Sequence, residues 1–599
     1  MFLPPRALPA SLVALLVGLA QLGGIAHGTP AFDATTAEAT FDDSSPLVTD
    51  AAGLPLWDRI ERHQDADASL FRQEDFGPGQ TWEDADLLAP HLASLFGDDA
   101  PASDRFLLHF APGWAFAPVD TPVILVPGTA SSASGVYGPL ARFLAARGRA
   151  VFALSFAHPN GDVFQQAEQV ANAIARVREI TGAAQVDLVA HSKGGISAAI
   201  YLGNRTGLSW GDAGTRGAAY TERGTPYRDD VRRFVAAGVP FGGVDTAFRW
   251  TASHLATANG ADPIVASAWT WYYPLTTTVP AVADDLRGVD LWAEEGDTFP
   301  GQRQLLAKWD DVHPLPGGRA ELGVFALQQD WLTTWTGGFG LYSFSPGVQD
   351  AVDAGGGVIA RLGQAPLDAG IELSVLAGAN PLLTVDRAVV DPDVLGDQLP
   401  DFLGLEAATY RALFDGPLRD DFPDLVVTDG EIDALSDGDI VLGEISGPSD
   451  GVVFAGSAMD TDGLLGAGAT LADTLTVDLA HLDLLFASEA IGTALQSDPA
   501  PHLAALGARY VAADTLGWIA EQLERGEDVG DDDDSADPGD DDDSADPGDD
   551  DDDDSAVPGG DDDDSAGPDV PWTGCTCSSS GTATPWLALL LLPLFIRRR

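Results

Sequence analysis

Near the middle of the chain, Val186-Asp187-Leu188-Val189-Ala190-His191-Ser192-Lys193-Gly194-Gly195 joins an apolar run to a serine set among small residues. The run has the texture of a buried strand, and a helix is expected from about Gly194 to Leu202. Small residues two before and two after a serine let a strand turn into a helix so tightly that larger side chains would collide. Such a turn lifts the hydroxyl clear of the sheet, and the helix N-terminus beneath it favours negative charge. The chemistry that suits this arrangement is nucleophilic attack on an acyl carbon. It needs a base for the serine proton and an acid to orient that base. Ala190 stands where G-x-S-x-G has its first glycine, so the succession of strand, serine and helix carries the reading. The plainer alternative is a serine that merely caps a helix.

A parallel sheet is needed to hold such a turn, and the flanking sequence supplies one. Val123-Ile124-Leu125-Val126 is a wholly apolar run that ends in Pro127-Gly128, and Ala150-Val151-Phe152-Ala153-Leu154 is another. Residues 136–147 look helical. Asp162 is placed to cap a second helix, whose apolar positions Val170, Ile174, Val177 and Ile180 recur at helical spacing before Gly182. Phe234-Val235-Ala236-Ala237-Gly238 and Ile371-Glu372-Leu373-Ser374-Val375-Leu376 extend the strand series. Strands alternating with helices predict a mostly parallel sheet with helices on both faces and a large inserted cap, and the serine turn set in such a sheet resembles that of the α/β-hydrolase fold. The cap is expected at about 245–369, too long a stretch for a loop. Seven of the fourteen Trp fall between Trp250 and Trp335. They suit either an apolar lid or simple packing of the cap.

The chain order Ser, acid, His in this fold places the base late. Of ten histidines, His27 lies in a leader-like segment, and His63, His91, His109, His158 and His191 precede the serine. His254 and His313 fall in the expected cap, which leaves His481 and His502. His481 follows the strand-like Leu475-Thr476-Val477-Asp478-Leu479, whereas His502 begins a helix and reads as structural.

At these residues the sequence resembles bacterial triacylglycerol lipases, including the small Bacillus-type lipases with Ala in place of the first Gly. The block around Ser192 carries the resemblance. So does Thr121-Pro122-Val123-Ile124-Leu125-Val126-Pro127-Gly128-Thr129, which is similar to their oxyanion strand and loop. The resemblance implies the backbone N–H groups of Thr129 and Lys193 as oxyanion donors, and His481-Leu482-Asp483 as the segment of the catalytic histidine. It implies Asp450, in Ser449-Asp450-Gly451-Val452-Val453 with Ser457-Ala458 downstream, as the acid. Asp462, in Thr461-Asp462-Gly463-Leu464-Leu465, is the rival, and the longer match favours Asp450. In one lipase group the position of Asp483 binds structural calcium; Asp429 and Asp433 lie in the region of a partner acid.

Residues 1–28 read as a secretory signal, with Arg6 ahead of an apolar run over 12–25 and Ala26-His27-Gly28 at a cleavage point. Residues 29–118 form an N-terminal extension without an assigned role, and 119–527 the hydrolase domain. The net charge of −61 disfavours nucleic acid, whose binding needs Lys and Arg against phosphates. Residues 528–570 repeat Asp blocks that repel one another, which predicts a disordered stalk. Residues 571–599 hold Cys575 and Cys577, the only cysteines, then an apolar run over 586–596 and Arg597-Arg598-Arg599. This tail resembles the sorting tail of myxobacterial-type surface proteins, which implies retention at the cell surface. A plain membrane anchor is the alternative.

The expectation is a serine hydrolase acting on ester or lipid substrates, exported and held at a surface, with no cofactor required beyond the calcium already mentioned. An acyltransferase or polyester depolymerase would use the same three residues. A catalytically inactive surface binding module is the reading from another class.

Overall fold

The computed structural model describes residues 37–42, 55–65, 92–245 apart from 130 and 160, parts of 301–313 and 352–384, 440–442, and 448–526 apart from 498 and 500. The signal, most of the expected cap, Asp429, Asp433, the stalk and the tail lie outside the described residues. Among the described residues no helix is long and apolar enough to cross a membrane.

The described residues form eleven strands: β1 (Ala39–Phe41), β2 (Arg59–Gln64), β3 (Arg105–Phe110), β4 (Val119–Val126), β5 (Arg149–Phe156), β6 (Val186–His191), β7 (Val231–Ala237), β8 (Glu372–Gly378), β9 (Leu382–Thr384), β10 (Ile440–Leu442) and β11 (Thr470–Val477). Nine of them make one sheet in the order β1-β2-β3-β5-β4-β6-β7-β8-β11, while β9 and β10 pair separately. From β5 across to β11 every neighbouring pair is parallel, and β1, β2 and β3 add an antiparallel edge. This is the α/β-hydrolase fold.

Alternate residues along each strand feed two separate cores. Phe152 and Leu154 of β5 and Leu188 of β6 pack with helices α2 (Val163–Thr181) and α3 (Lys193–Leu202). Val151, Ala153 and Val189 face the other way, against α1 (Gly138–Ala146) and α4 (Thr515–Glu524). Burial on both faces is why these strands read as continuous apolar runs rather than as alternating ones. Asp162 caps α2 by accepting from Phe164 N and Gln165 N at 2.8 and 3.0 Å, and Gly182 closes it at φ 74°. The expected helix over 136–147 is instead split at Tyr137, with a short helix over Ala133–Val136 before it and Pro139 opening α1. Proline lacks the N–H that a continuous helix would need there.

The N-terminal extension differs most from its sequence reading. Three of its segments are strands of the same sheet, so the sheet begins at Ala39 and not at 119. In β2 the side chains of Glu61 and His63 are buried. They are tolerated because Glu61 accepts from Arg176 Nε at 2.9 Å, meets His63 Nε2 at 3.0 Å and pairs with Arg59. Burial alone would raise its carboxyl, but these partners outweigh it and hold the group down at about 2.

The strand order places β4 between β5 and β6, so the chain leaves β4 in one direction and returns in the other. In open α/β sheets such a reversal, here at the carboxyl ends of β4 and β6, marks where ligands bind. Thr129, Ser192, Gly238, Asn380 and His481 all follow the carboxyl ends of parallel strands.

Candidate active site

Ser192 sits between β6 and α3 with φ 53° and ψ −133°, a left-handed φ that few non-glycine residues adopt. Its N–H donates to Ala237 O at 3.0 Å, which ties the turn to the end of β7. The small residues of the motif are required by close contacts. A Cβ on Gly194 would lie 2.3 Å from Pro127 O, and one on Gly195 would lie 2.1 Å from Val239 Cγ2. Gly128 faces Ser192 itself: a Cβ there would come within 2.7 Å of the serine Cβ. Ala190 is fully buried and is accommodated without strain at the position where glycine is usual.

The loop between β11 and the short helical turn at Asp483–Leu485 delivers His481. His481 Nδ1 meets Asp450 Oδ2 at 2.7 Å, and both side chains are buried. Asp450 is held from its own loop as well, because its Oδ1 accepts from Val452 N and Val453 N at 3.0 and 2.7 Å. The backbone repeats the pairing, with His481 N donating to Asp450 O at 2.9 Å. On the other side, His191 Nε2 donates to His481 O at 3.0 Å, with the two rings 4.5 Å apart. Burial, followed by the charge of His481, pushes His191 well below the ordinary histidine range, so it stays neutral. The imidazole of His481 also rests against Gly238, where an added Cβ would come within 3.1 Å of its Cε1 and Nδ1. Gly238 follows Ala237, the residue that holds Ser192 N.

Asp462 is not brought to this pair. It is exposed in the turn after Thr461. Thr129 follows β4 and is buried beside the serine turn, and Lys193 opens α3. The Lys193 side chain is wholly buried and donates to Gly161 O at 3.2 Å and to Gln166 Oε1. Its side chain thus anchors the first turn of α3 to the start of α2. Two further anchors escape a reading of the sequence. His191 is marked only by its adjacency to Ser192. Gln304, from within the stretch expected to form the cap, accepts from Val163 N at 2.9 Å and donates to Asp162 at 2.6 Å.

Asp483 opens the short helical turn that follows His481. Its Oδ1 accepts from Tyr510 Oη at 2.7 Å, and among the described residues no group of three or more His, Cys, Asp or Glu comes together. Calcium takes six to eight oxygens, so these residues alone do not make its cage. Burial raises the Asp483 carboxyl to about 6, against the hydrogen bond from Tyr510 and the charge of Arg509. The folded state therefore binds this proton more tightly than the unfolded chain. The associated stability is complete below the ordinary value of 3.8 and is lost as pH rises through about 6. Asp483→Asn removes the charge and leaves Tyr510 an acceptor. It is expected to exceed the parent in stability at pH 8 by up to about 3 kcal/mol, less because Asp483 keeps some solvent contact, and by nearly nothing at pH 4. Urea unfolding at the two pH values measures this; equal stability at pH 8 would contradict the burial argument.

A sequence model of the family Lipase (class 2) matches residues 120–209. The match takes in β5, β6 and Ser192 and stops before Asp450 and His481. No curated protein matches the chain. The mature form of the Bacillus licheniformis lipase BlEst2 is similar in structure at 16% identity, over 61% of this chain and 87% of that one, with a TM-score of 0.23. The product of the gene lin2722 from Listeria innocua is similar at 12% identity, over 68% and 94%, with a TM-score of 0.26. Aspergillus fumigatus lipase B shares 23% identity over 24% of this chain and 30% of its own, at a TM-score of 0.17. At such identities and scores the likenesses carry no functional argument.

Proposed function

We propose that the chain hydrolyses carboxylic esters, lipid esters among them, through Ser192, His481 and Asp450. The observation that carries this reading is the buried His481–Asp450 pair at 2.7 Å, packed on the same strand ends as a serine with φ 53°. The match to a lipase family over the serine turn supports it. With Nδ1–H donating to Asp450, His481 Nε2 takes the proton of Ser192 as Oγ attacks the ester carbon. The N–H groups of Thr129 and Lys193 meet the oxyanion, at a helix N-terminus that already favours negative charge. Collapse expels the alcohol, protonated by His481, and leaves the acyl group on Ser192. Water then attacks, giving its proton to His481, and the acid departs. No metal or organic cofactor enters these steps. In the same reading the chain is exported through 1–28 and held at the cell surface by 571–599, at the end of the acidic stalk.

The test is hydrolysis of p-nitrophenyl butyrate and palmitate by the purified full chain, with labelling by a fluorophosphonate. Turnover, with the label on Ser192 by peptide mass, is the expected result. A chain that turns over neither ester and ignores the label would overturn the proposal in favour of the binding-module reading.

A further inference from the structure

The sequence assigns no role to the stretch before β4, yet two of its side chains brace, one directly and one through Ser155, the short helix that follows the loop carrying Thr129. Thr129 lies between two fixed points in the chain. The first is the end of β4, where Tyr137 Oη donates to Val126 O at 2.6 Å. The second is the start of the short helix Ala133–Val136, and the N-terminal strands hold it. Ala133 N donates to Ser155 Oγ at 3.0 Å, and the same hydroxyl meets His109 Nε2 of β3 at 2.9 Å. One residue on, Ser134 Oγ accepts from Trp57 Nε1 at 3.0 Å. Trp57 and His109 pack against each other with ring centroids 5.1 Å apart, and both are fully buried.

We infer that Trp57 and His109 are positioning residues for the oxyanion donor Thr129, acting through Ser134 and through Ser155 and Ala133. The inference rests on the hydrolase reading. A short loop tied at both ends has few conformations, so fixing Ala133 and Ser134 fixes where the Thr129 N–H points. An oxyanion donor works only when it is aimed beforehand at the place where charge develops. A small misplacement costs rate rather than affinity, because the ground-state ester does not depend on that donor to bind. His109 suits a permanent brace. Burial pushes it down to about 3, so it stays neutral throughout the range in which a hydrolase of this kind works. The arrangement gives β3 and the segment just ahead of β2 a task in positioning the oxyanion loop.

The test compares the full chain with Trp57→Phe/His109→Leu, which keeps the apolar packing and removes both hydrogen-bonding groups. His109→Gln, whose terminal amide reaches about as far as the imidazole Nε2, serves as the conservative control. The double variant is expected to lose about tenfold to a hundredfold in kcat with KM within about twofold, and with the pH profile of kcat unmoved. His109→Gln is expected to retain kcat within about threefold, as a placed hydrogen bond and not mere bulk requires. Hydrogen exchange supplies a readout independent of turnover: amides of 128–134 should exchange faster in the double variant, and those of β6 should not. A folded double variant with parental kcat, a His109→Gln no better than His109→Leu, or unchanged exchange over 128–134 would each overturn the inference. A parent chain inert to ester and fluorophosphonate would instead overturn the hydrolase reading, and the exchange experiment would still decide the brace.

Discussion

Ser192→Ala and His481→Ala are each expected to lower kcat by about 10⁴-fold to 10⁶-fold, and the double variant no further than the worse single one. The reason is that the two side chains perform one act. Without His481 the Ser192 hydroxyl keeps its proton and is a poor nucleophile; without Ser192 the imidazole has no proton to take. Whatever rate survives comes from binding and from the oxyanion donors, which neither substitution removes. KM should move little, since neither residue is needed to hold the ground-state ester. Steady-state kinetics on p-nitrophenyl butyrate, with circular dichroism to confirm folding, measures all three variants. If the two losses multiplied in the double variant, the residues would be acting separately, and a shared proton transfer would be the wrong account.

The parts of this site that the sequence displays are those whose physics is local. The turn at Ser192 demands small neighbours within a few residues, so its requirements are written beside it. Strands β4 to β8 are buried on both faces and read as apolar runs. Helix α2 announces both its ends through Asp162 and Gly182. The parts that stay hidden depend on partners far along the chain. In β2, Arg59-Ile60-Glu61-Arg62-His63-Gln64 has the composition of a surface segment, and the burial of Glu61 depends on His63 and Arg59 beside it and on Arg176, which arrives from α2 far along the chain. His109 looks like any histidine in an apolar run until β5 brings Ser155 to it. In β11 the exposed and half-buried residues at an edge blur the strand signal, although it is the strand that delivers His481. The partner of Asp483 is likewise remote: Tyr510, on the helix Pro501–Ala513, donates to its carboxylate, which nothing beside His481 in the sequence announces.

Asp450→Asn is expected to lower kcat by about 10³-fold to 10⁴-fold at neutral pH, while Asp462→Asn keeps it within about twofold. The two residues are alike in sequence, each an aspartate followed by glycine, and differ in what the fold does with them. Asp450 Oδ1 is committed to two backbone N–H groups, those of Val452 and Val453. An asparagine there must keep its oxygen on those donors, because its amide nitrogen has nothing to offer them. Its NH₂ then faces His481 Nδ1 in place of Oδ2, which sits at 2.7 Å from that nitrogen. Two donors cannot share a hydrogen bond, so the ring must take the tautomer with a bare Nδ1 and a proton on Nε2. That places the proton on the nitrogen that should receive one from Ser192. The variant therefore folds, binds ester and stalls at the first transfer. Asp450→Ala offers a separate check, since it removes the wrongly placed donor along with the acid and frees the ring to choose its tautomer. Its kcat should also be low, but for want of a partner for the imidazolium. Asp462 is exposed in its turn, and Gly463 beside it is the residue under constraint, packed against the backbone of Gly363. Losing the charge at Asp462 leaves that packing as it was. A larger loss from Asp462→Asn than from Asp450→Asn would move the acid to the second loop, and would require that loop to approach His481 in the working enzyme.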